Sequence, residues 1–381
     1  MTSTSTSPSH AEARLNPTRI TLARELRGIS KTELARVLGM TTRALQDYES
    51  LGAPKSRQGD LADALGVEPS FFALPERERM SPDQGFFRAL RRATAGQRHA
   101  AIAAADVGVE LYEWLAERFV LPKLALPDLD DQEPEAASAA LRSVWGRGQE
   151  PMPNLIQLAE AHGVRVLSIP PNARTVDAFS TSRDGQAYVF LSTEKSAERS
   201  RFDLAHELGH LVMHTRVPPG HIQSDAELRR QIEQEADAFA SALLMPRSAL
   251  LADASREPAV PEILRLKSRY RVSAMAMTRR LHDVGRLSDW SYRQNCVQLA
   301  QLGYRSSEPG GMRRDLSRVF AIVFPTLRAQ GIGSGSLRDS LGLTAELLHD
   351  LTFGQVTISV NGLDQTTVHA RPSLRVIQGG A

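Results

Sequence analysis

The chain has 381 residues, too many for a single peptide-sized binding module and enough for two to four domains at roughly 100 to 200 residues each. Apolar residues make up 41% and charged residues 24%, the proportions of a soluble globular protein, which excludes wholesale disorder, a collagen-like repeat and a low-complexity filament. The formal net charge of +2 is too small for the whole surface to attract nucleic acid, yet residues 1–58 carry nine basic side chains against five acidic ones, so a basic footprint lies at the N-terminus. The single cysteine, Cys296, excludes an intramolecular disulfide and a thiolate zinc cluster, and no run approaches ~18 consecutive apolar residues. The first residues also lack the basic and apolar regions of a signal peptide, so a cytoplasmic protein with no membrane contact is expected.

Residues 1–16 read as a disordered tail, Ser/Thr-rich at its start and without apolar periodicity. From Thr18 the apolar residues Ile20, Leu22, Ala23 and Leu26 recur at helical spacing, and Gly28 supplies a turn. Ser30 and Glu33 have the spacing of a capping box, and Leu34, Ala35 and Leu38 form the inner face of the helix they open. Thr41 can cap a third helix with Leu45 and Tyr48 buried, and 54–66 supplies a fourth, so 17–74 holds four or five short helices with a tight turn in the middle. Residues 83–119 read as one long Ala-rich amphipathic helix, closed by LPKLALPDLDDQEPE, whose prolines and acids mark a linker. Helices 136–145 and 155–162 then precede β-like runs at 164–169, 178–182 and 187–192, the last two joined at Asp184-Gly185, a strong hairpin signal. Strand 187–192 either receives an extended peptide at a sheet edge or lies inside the sheet. Helices follow at about 200–214 and 227–244 and on to Leu281; 286 to about 353 is helical, and 356–360 reads as a last strand. Gly331, Gly333 and Gly335 follow no strand and lack the Lys-Ser/Thr of a phosphate cradle, so they read as a helix-helix connection.

The informative stretch runs from Arg201 to His214. Positions four apart on a helix are offset by about 40°, so His206 and His210 present their rings on one face, one turn apart, as a shared Zn²⁺ requires. Glu207 beside that pair is placed to take a proton from water and return it to a leaving amine. By chance alone this His-Glu-x-x-His spacing is expected about once in 60 chains of this composition, so a third ligand has to support it. Glu233 and Asp237 supply that support: four apart on the next helix, they allow Glu233 to bind zinc while Asp237 orients a ligand histidine from behind. Glu235 points about 200° away from Glu233 and is the poorer ligand. His214 extends the histidine stripe by a turn, but three successive histidines on a straight helix diverge from one ion, which leaves His214 as a pocket or surface residue.

Two resemblances follow from these residues. The segment from HELGH at His206 to EQEADAFASALLMP ending at Pro246 closely resembles the ImmA/IrrE metallopeptidase family, and the likeness covers roughly 136–285. It implies a zincin-like fold, zinc held by His206, His210 and Glu233, Glu207 as the base, and proteolysis of a transcriptional repressor. Residues 18–72 resemble the Cro/cI-type helix-turn-helix regulators of the XRE family, with 30–39 as the first helix of the motif and 41–49 as the recognition helix. That resemblance implies contacts from Thr41, Thr42, Arg43 and Gln46 to base edges of double-stranded DNA. Asp47 on the DNA side and the Ser-Leu-Gly-Ala turn depart from the usual basic pattern, which calls for weak binding, a homodimer, or a module that docks protein instead.

The expected fold class is therefore multidomain and mainly α, with a small α+β zincin-like domain. The expected divisions are a tail (1–16), a five-helix helix-turn-helix domain (17–74), a helical connector and linker (82–134), the zinc peptidase domain (135–285) and a helical C-terminal domain of unassigned role (286–381). In that last part Arg313, Arg314 and Arg318 and the helices after Ser336 fit an oligomerisation or sensing unit, or a plain structural cap. Two functions remain open: a DNA-binding regulator fused to a zinc endopeptidase that cleaves a repressor, or a regulator whose peptidase-like domain is a non-catalytic sensor or dimerisation scaffold.

Overall fold

The computed structural model of the chain describes residues 14–80, 85–86, 94–171, 176–217, 225–356 and 375–376. Most of the expected tail, residues 357–360 of the expected last strand and residues 87–93 of the expected amphipathic stretch lie outside the described residues. What is described is mainly helical, with sixteen α-helices around a small mixed sheet.

The first four helices are α1 (Pro17–Arg27), α2 (Lys31–Val37), α3 (Thr42–Leu51) and α4 (Gln58–Leu65). The starts of α2 and α3 follow the capping residues read from the sequence, whereas α1 is capped by Asn16 and α4 has no side-chain cap. Ser30 Oγ accepts the Glu33 N–H at 3.1 Å, and Thr41 Oγ1 accepts the Ala44 N–H at 3.2 Å. Two short 3₁₀ turns, Lys55–Arg57 and Pro69–Ala73, complete this unit.

The amphipathic stretch expected from residue 83 contains α5 (Ala95–Ala116), which begins twelve residues later. Thr94 and Gln97 close a reciprocal capping box that fixes the start. Before it, Gly85–Phe86 runs extended as β1. From Ala100 to Leu115 every residue of α5 is buried except Glu113, because the helix has neighbours on all sides. On one side α1 packs against it, locked by the buried pair of Arg19 Nη1 and the Glu110 carboxylate at 2.9 Å. On another side lies the sheet.

The remaining strands are β2 (Phe119–Val120), β3 (Arg165–Ser168), β4 (Ala178–Arg183), β5 (Gln186–Leu191) and β6 (Arg375–Val376), with β2 and β6 paired apart from the rest. The main sheet has the order β1-β4-β5-β3, antiparallel at β1-β4 and β4-β5 and parallel at β3-β5. Asp184 and Gly185 both take positive φ, 50° and 73°, and make the tight β4-β5 hairpin. Strand β5 is thus interior, which removes it as an edge for an extended peptide. The outer edge of β4 is paired by the β1 backbone opposite Ser180 and Thr181.

Alternation along the strands divides the sheet between two cores. Leu167, Phe179, Tyr188 and Phe190 join the core shared with α1 and α5, whereas Val166, Ala178, Ala187, Val189 and Leu191 join a second one. That second core holds α6 (Pro134–Val144), α7 (Leu155–Ala161), α8 (Ala197–Met213) and α9 (Ala226–Leu244), followed by α10 (Arg247–Asp253), α11 (Val260–Tyr270), α12 (Ala274–Asp283) and α13 (Asp289–Gln301). The last helices, α14 (Arg318–Ala329), α15 (Ser334–Leu341) and α16 (Ala345–Leu351), return to the first core.

The segment between α13 and α14 crosses the start of α8. Glu198 accepts the Met312 N–H at 2.8 Å, and Asp315 accepts from Arg201 at 2.6 Å, Arg271 at 2.7 Å and the Leu155 N–H at 2.9 Å. Of the arginines singled out in the sequence, Arg314 belongs to this strap and donates to the carbonyls of Thr193 and Lys195.

Gly108 marks the closest approach of α5 to the sheet: a Cβ there would lie 2.8 Å from Phe190 Cε1 and 3.2 Å from Leu167 Cδ2. Gly108→Val should therefore destabilise the protein by about 1–3 kcal/mol through overpacking. Gly96→Ala, on the same helix with nothing within 4 Å of the new Cβ, should be neutral or stabilising by up to about 1 kcal/mol. Urea unfolding midpoints of the two variants check this; equal midpoints would show that α5 does not bear on the sheet.

Candidate metal centre

Helix α8 starts at Ser196, whose Oγ accepts the Arg199 N–H at 3.2 Å, and buries Leu204, Ala205, Leu208 and Val212 against the sheet and its neighbours. Gly209 lets α9 come close: a Cβ at that position would sit 3.0 Å from Phe239 and 3.4 Å from Ala236 Cα. One turn before Ala236, Glu233 consequently faces both histidines.

His206 Nε2 lies 3.0 Å from His210 Nε2 and 3.3 Å from Glu233 Oε2, and His210 Nε2 lies 3.6 Å from Glu233 Oε1. Ligand atoms held ~2.0–2.1 Å from one tetrahedral zinc are about 3.3 Å apart, so the three side chains fit a single ion. They form the one His/Cys/Asp/Glu group of metal-binding size among the described residues.

Proton placement supports the fit. Asp237 Oδ1 is 2.8 Å from His206 Nδ1, which requires the proton on Nδ1 and leaves Nε2 with a bare lone pair. At His210, Nδ1 is 3.0 Å from His214 Nδ1, and His214 Nε2 is 3.0 Å from Glu235 Oε2. A carboxylate only accepts, so His214 carries its proton on Nε2 and receives the His210 Nδ1–H on its own Nδ1. Both Nε2 lone pairs therefore face each other and a carboxylate, an arrangement that a cation stabilises.

Glu207, next to His206, reaches the sheet, where its Oε2 accepts the Ser180 hydroxyl at 2.6 Å. Burial pushes its carboxyl up to about 7, against the opposing pull of His206 and of the Ser180 hydroxyl. One turn earlier, burial raises Asp203 to about 6 although Arg199 lies 3.0 Å away. For His206, burial pulls the pKa down, but the Asp237 hydrogen bond and the charges of Glu207, Asp237 and Asp203 outweigh it, and the net shift is upward.

The structure groups His206, His210 and Glu233, sets Asp237 against His206, and places Glu207 against Ser180. His214 is buried at 3% exposure, its Nδ1 3.0 Å from His210 Nδ1 and its Nε2 3.0 Å from Glu235 Oε2. Sequence reasoning also missed Ser180 and the part played by Glu235. The stripe at 206, 210 and 214 was the signal for His214, whereas nothing short of the sheet register marks Ser180.

Residues 159–282 match the peptidase family described as the IrrE N-terminal-like domain. The match takes in both helices of the site, the hairpin and helices as far as α12, and it leaves the α1–α5 region outside. No curated protein matches the chain. Far from the IrrE-like unit's histidines in sequence, Thr41, Thr42, Arg43 and Gln46 are all exposed at the start of α3, and so is Asp47. Glu49 on the same helix is drawn back into ion pairs with Arg24 at 2.5 Å and Lys31 at 3.0 Å.

Because the folded pKa of His206 is raised, its protonated form stabilises the metal-free protein below the unfolded value, and that contribution is lost as the pH rises through the folded one. Asp237→Ala removes the strongest upward influence and should lower the pKa of His206. Histidine NMR titration of the metal-free protein reads this directly; an unmoved His206 resonance would refute the hydrogen bond.

Proposed function

We propose that the chain is a zinc-dependent endopeptidase joined to a DNA-binding helix-turn-helix regulator, and that its substrate is a partner repressor protein. The observation that carries the peptidase half is the donor set of His206, His210 and Glu233, whose two imidazole Nε2 atoms converge with the Glu233 carboxylate and whose edges match a tetrahedral ion. These three residues would hold zinc. When bound, zinc supplies Lewis acidity, polarising a peptide carbonyl and bringing the pKa of water toward about 7.

The protein's own groups do the rest. Glu207 takes the proton of the attacking water and delivers it to the leaving amine, a task suited to a carboxyl whose pKa burial has raised to about 7. Ser180 holds that carboxylate toward β4, and Asp237 keeps His206 in the tautomer that offers Nε2.

The regulatory half rests on the exposed start of α3. Thr41, Thr42, Arg43 and Gln46 can enter a major groove, with Arg43 suited to guanine, and a homodimer would compensate for the exposed Asp47. A cytoplasmic site of action agrees with such partners; among the described residues no helix is long and apolar enough to cross a membrane. One observation favours the second reading, a regulator with a non-catalytic peptidase-like scaffold: α5 belongs to the core of the helix-turn-helix unit and also covers the sheet.

Metal analysis of the purified chain should give about one zinc per chain and markedly less for Glu233→Ala. Glu207→Gln should retain that zinc and lose at least about 100-fold in cleavage of a repressor substrate. A Glu207→Gln protein that cuts as the parent does removes the base assignment, and one that regulates normally selects the scaffold reading. For DNA, Arg43→Ala should cost about 1–3 kcal/mol of discrimination at one base pair in a binding titration; unchanged specificity would point to a protein-docking module.

A further inference from the structure

We propose that His214 and Glu235 form a positioning relay for His210, doing indirectly what Asp237 does directly for His206. The proposal rests on the zinc reading above. Its geometry is a line of three groups: His210 Nδ1 to His214 Nδ1 at 3.0 Å, His214 Nε2 to Glu235 Oε2 at 3.0 Å, with Gln231 Nε2 donating to Glu235 Oε1 at 2.8 Å.

Both nitrogens of His214 are committed in this line, so neither is turned to the ion site, which excludes it as a ligand. Its burial is nonetheless nearly complete at 3% exposure, like that of His210 at 2%. A buried imidazole costs desolvation that an apolar residue of the same size would not, and it is retained economically only where its hydrogen bonds have a use. That use follows from the tautomers that these contacts require. Glu235 sets the tautomer of His214, His214 in turn sets the tautomer of His210, and His210 is left with its Nε2 lone pair toward Glu233 and His206.

The two sides of the site differ because α8 runs inward. His206 lies near the surface, and the carboxylate of Asp237, itself 64% exposed, reaches its Nδ1 directly. His210 is a turn deeper, and His214 spans the gap to the next carboxylate. Glu233, Glu235 and Asp237 come from one helix at alternate positions, so α9 supplies a ligand and the anionic ends of both orienting bonds.

The test is zinc affinity of the full chain, measured by competition with a chromophoric chelator, together with melting of the metal-free proteins. His214→Phe keeps the ring volume and loses both hydrogen bonds; Glu235→Ala removes the anionic end; His214→Gln can still accept from His210 and donate to Glu235. His214→Phe and Glu235→Ala should bind zinc about 10–100-fold more weakly than the parent, and His214→Gln should stay within about threefold, with metal-free melting temperatures alike. Parental affinity in His214→Phe overturns the relay alone, and so does a loss in His214→Gln as large as in His214→Phe, since packing would then account for it. A parent that holds no zinc overturns the metal reading and the relay with it.

Discussion

Two imidazole Nε2 atoms 3.0 Å apart, with a carboxylate against both, make a cluster that needs positive charge between them, a proton or a metal ion. That constraint explains most of what surrounds it. Each ring needs a fixed tautomer, each tautomer needs an acceptor behind it, and each acceptor needs a rigid element to stand on. Helix α9 answers the last need for both rings. Its approach to α8 at Gly209, where a methyl group would meet Phe239, is what brings Glu233 within reach. A site of this kind is therefore a property of how two helices pack as much as of the five residues in the motif.

The same reasoning extends to the start of α8. Arg201 is buried and donates to Asp315 and to the backbone carbonyls of Met152 and Pro153, which ties the histidine helix to the strap after α13 and to the segment before α7. Removing one partner from a buried ion pair costs about 3–5 kcal/mol, because the other charge is left without compensation. Residues 308–317 are thus part of what holds the helix in place. Their neighbour Glu160 extends the arrangement: it accepts the Ser317 hydroxyl and the N–H groups of Arg318 and Val319, closing the N-terminus of α14.

The histidine pair, its glutamate and the acidic partner on the next helix were legible because helical periodicity converts spacing into direction, and α8 and α9 are regular throughout that stretch. The hairpin was legible because Asp-Gly tolerates two successive positive φ angles. Where the reading stopped, the missing information was tertiary. An angle of about 200° between Glu233 and Glu235 says that they cannot share one target, but it is silent on a second target one turn further along α8. Strand 187–192 could not be assigned to an edge or an interior position, since β5 gains its second neighbour from β3, which lies before β4 in the chain. The apolar pattern in 83–119 reads as an amphipathic connector, but α5 is covered on every side, and its start is set by the capping box at Thr94.

That burial has a consequence for how the two proposed activities are related. Adjacent residues of β4 face opposite ways: Ser180 bonds the proposed base, while Thr181 packs beside Met80, whose N–H is held by Asp106 of α5. Met80 follows Arg79, which pairs with Glu25 of α1 and with Asp106. A few bonds thus separate the α1–α4 unit from the strand behind Glu207. Were α5 absent, Leu167, Phe179, Tyr188 and Phe190 would expose one whole face of the sheet to water, at about 1.5–3 kcal/mol for each large side chain. The sheet beside the candidate metal centre accordingly depends on α5 for one face of its core, and α5 is anchored in turn through Arg19 and Glu110 to α1.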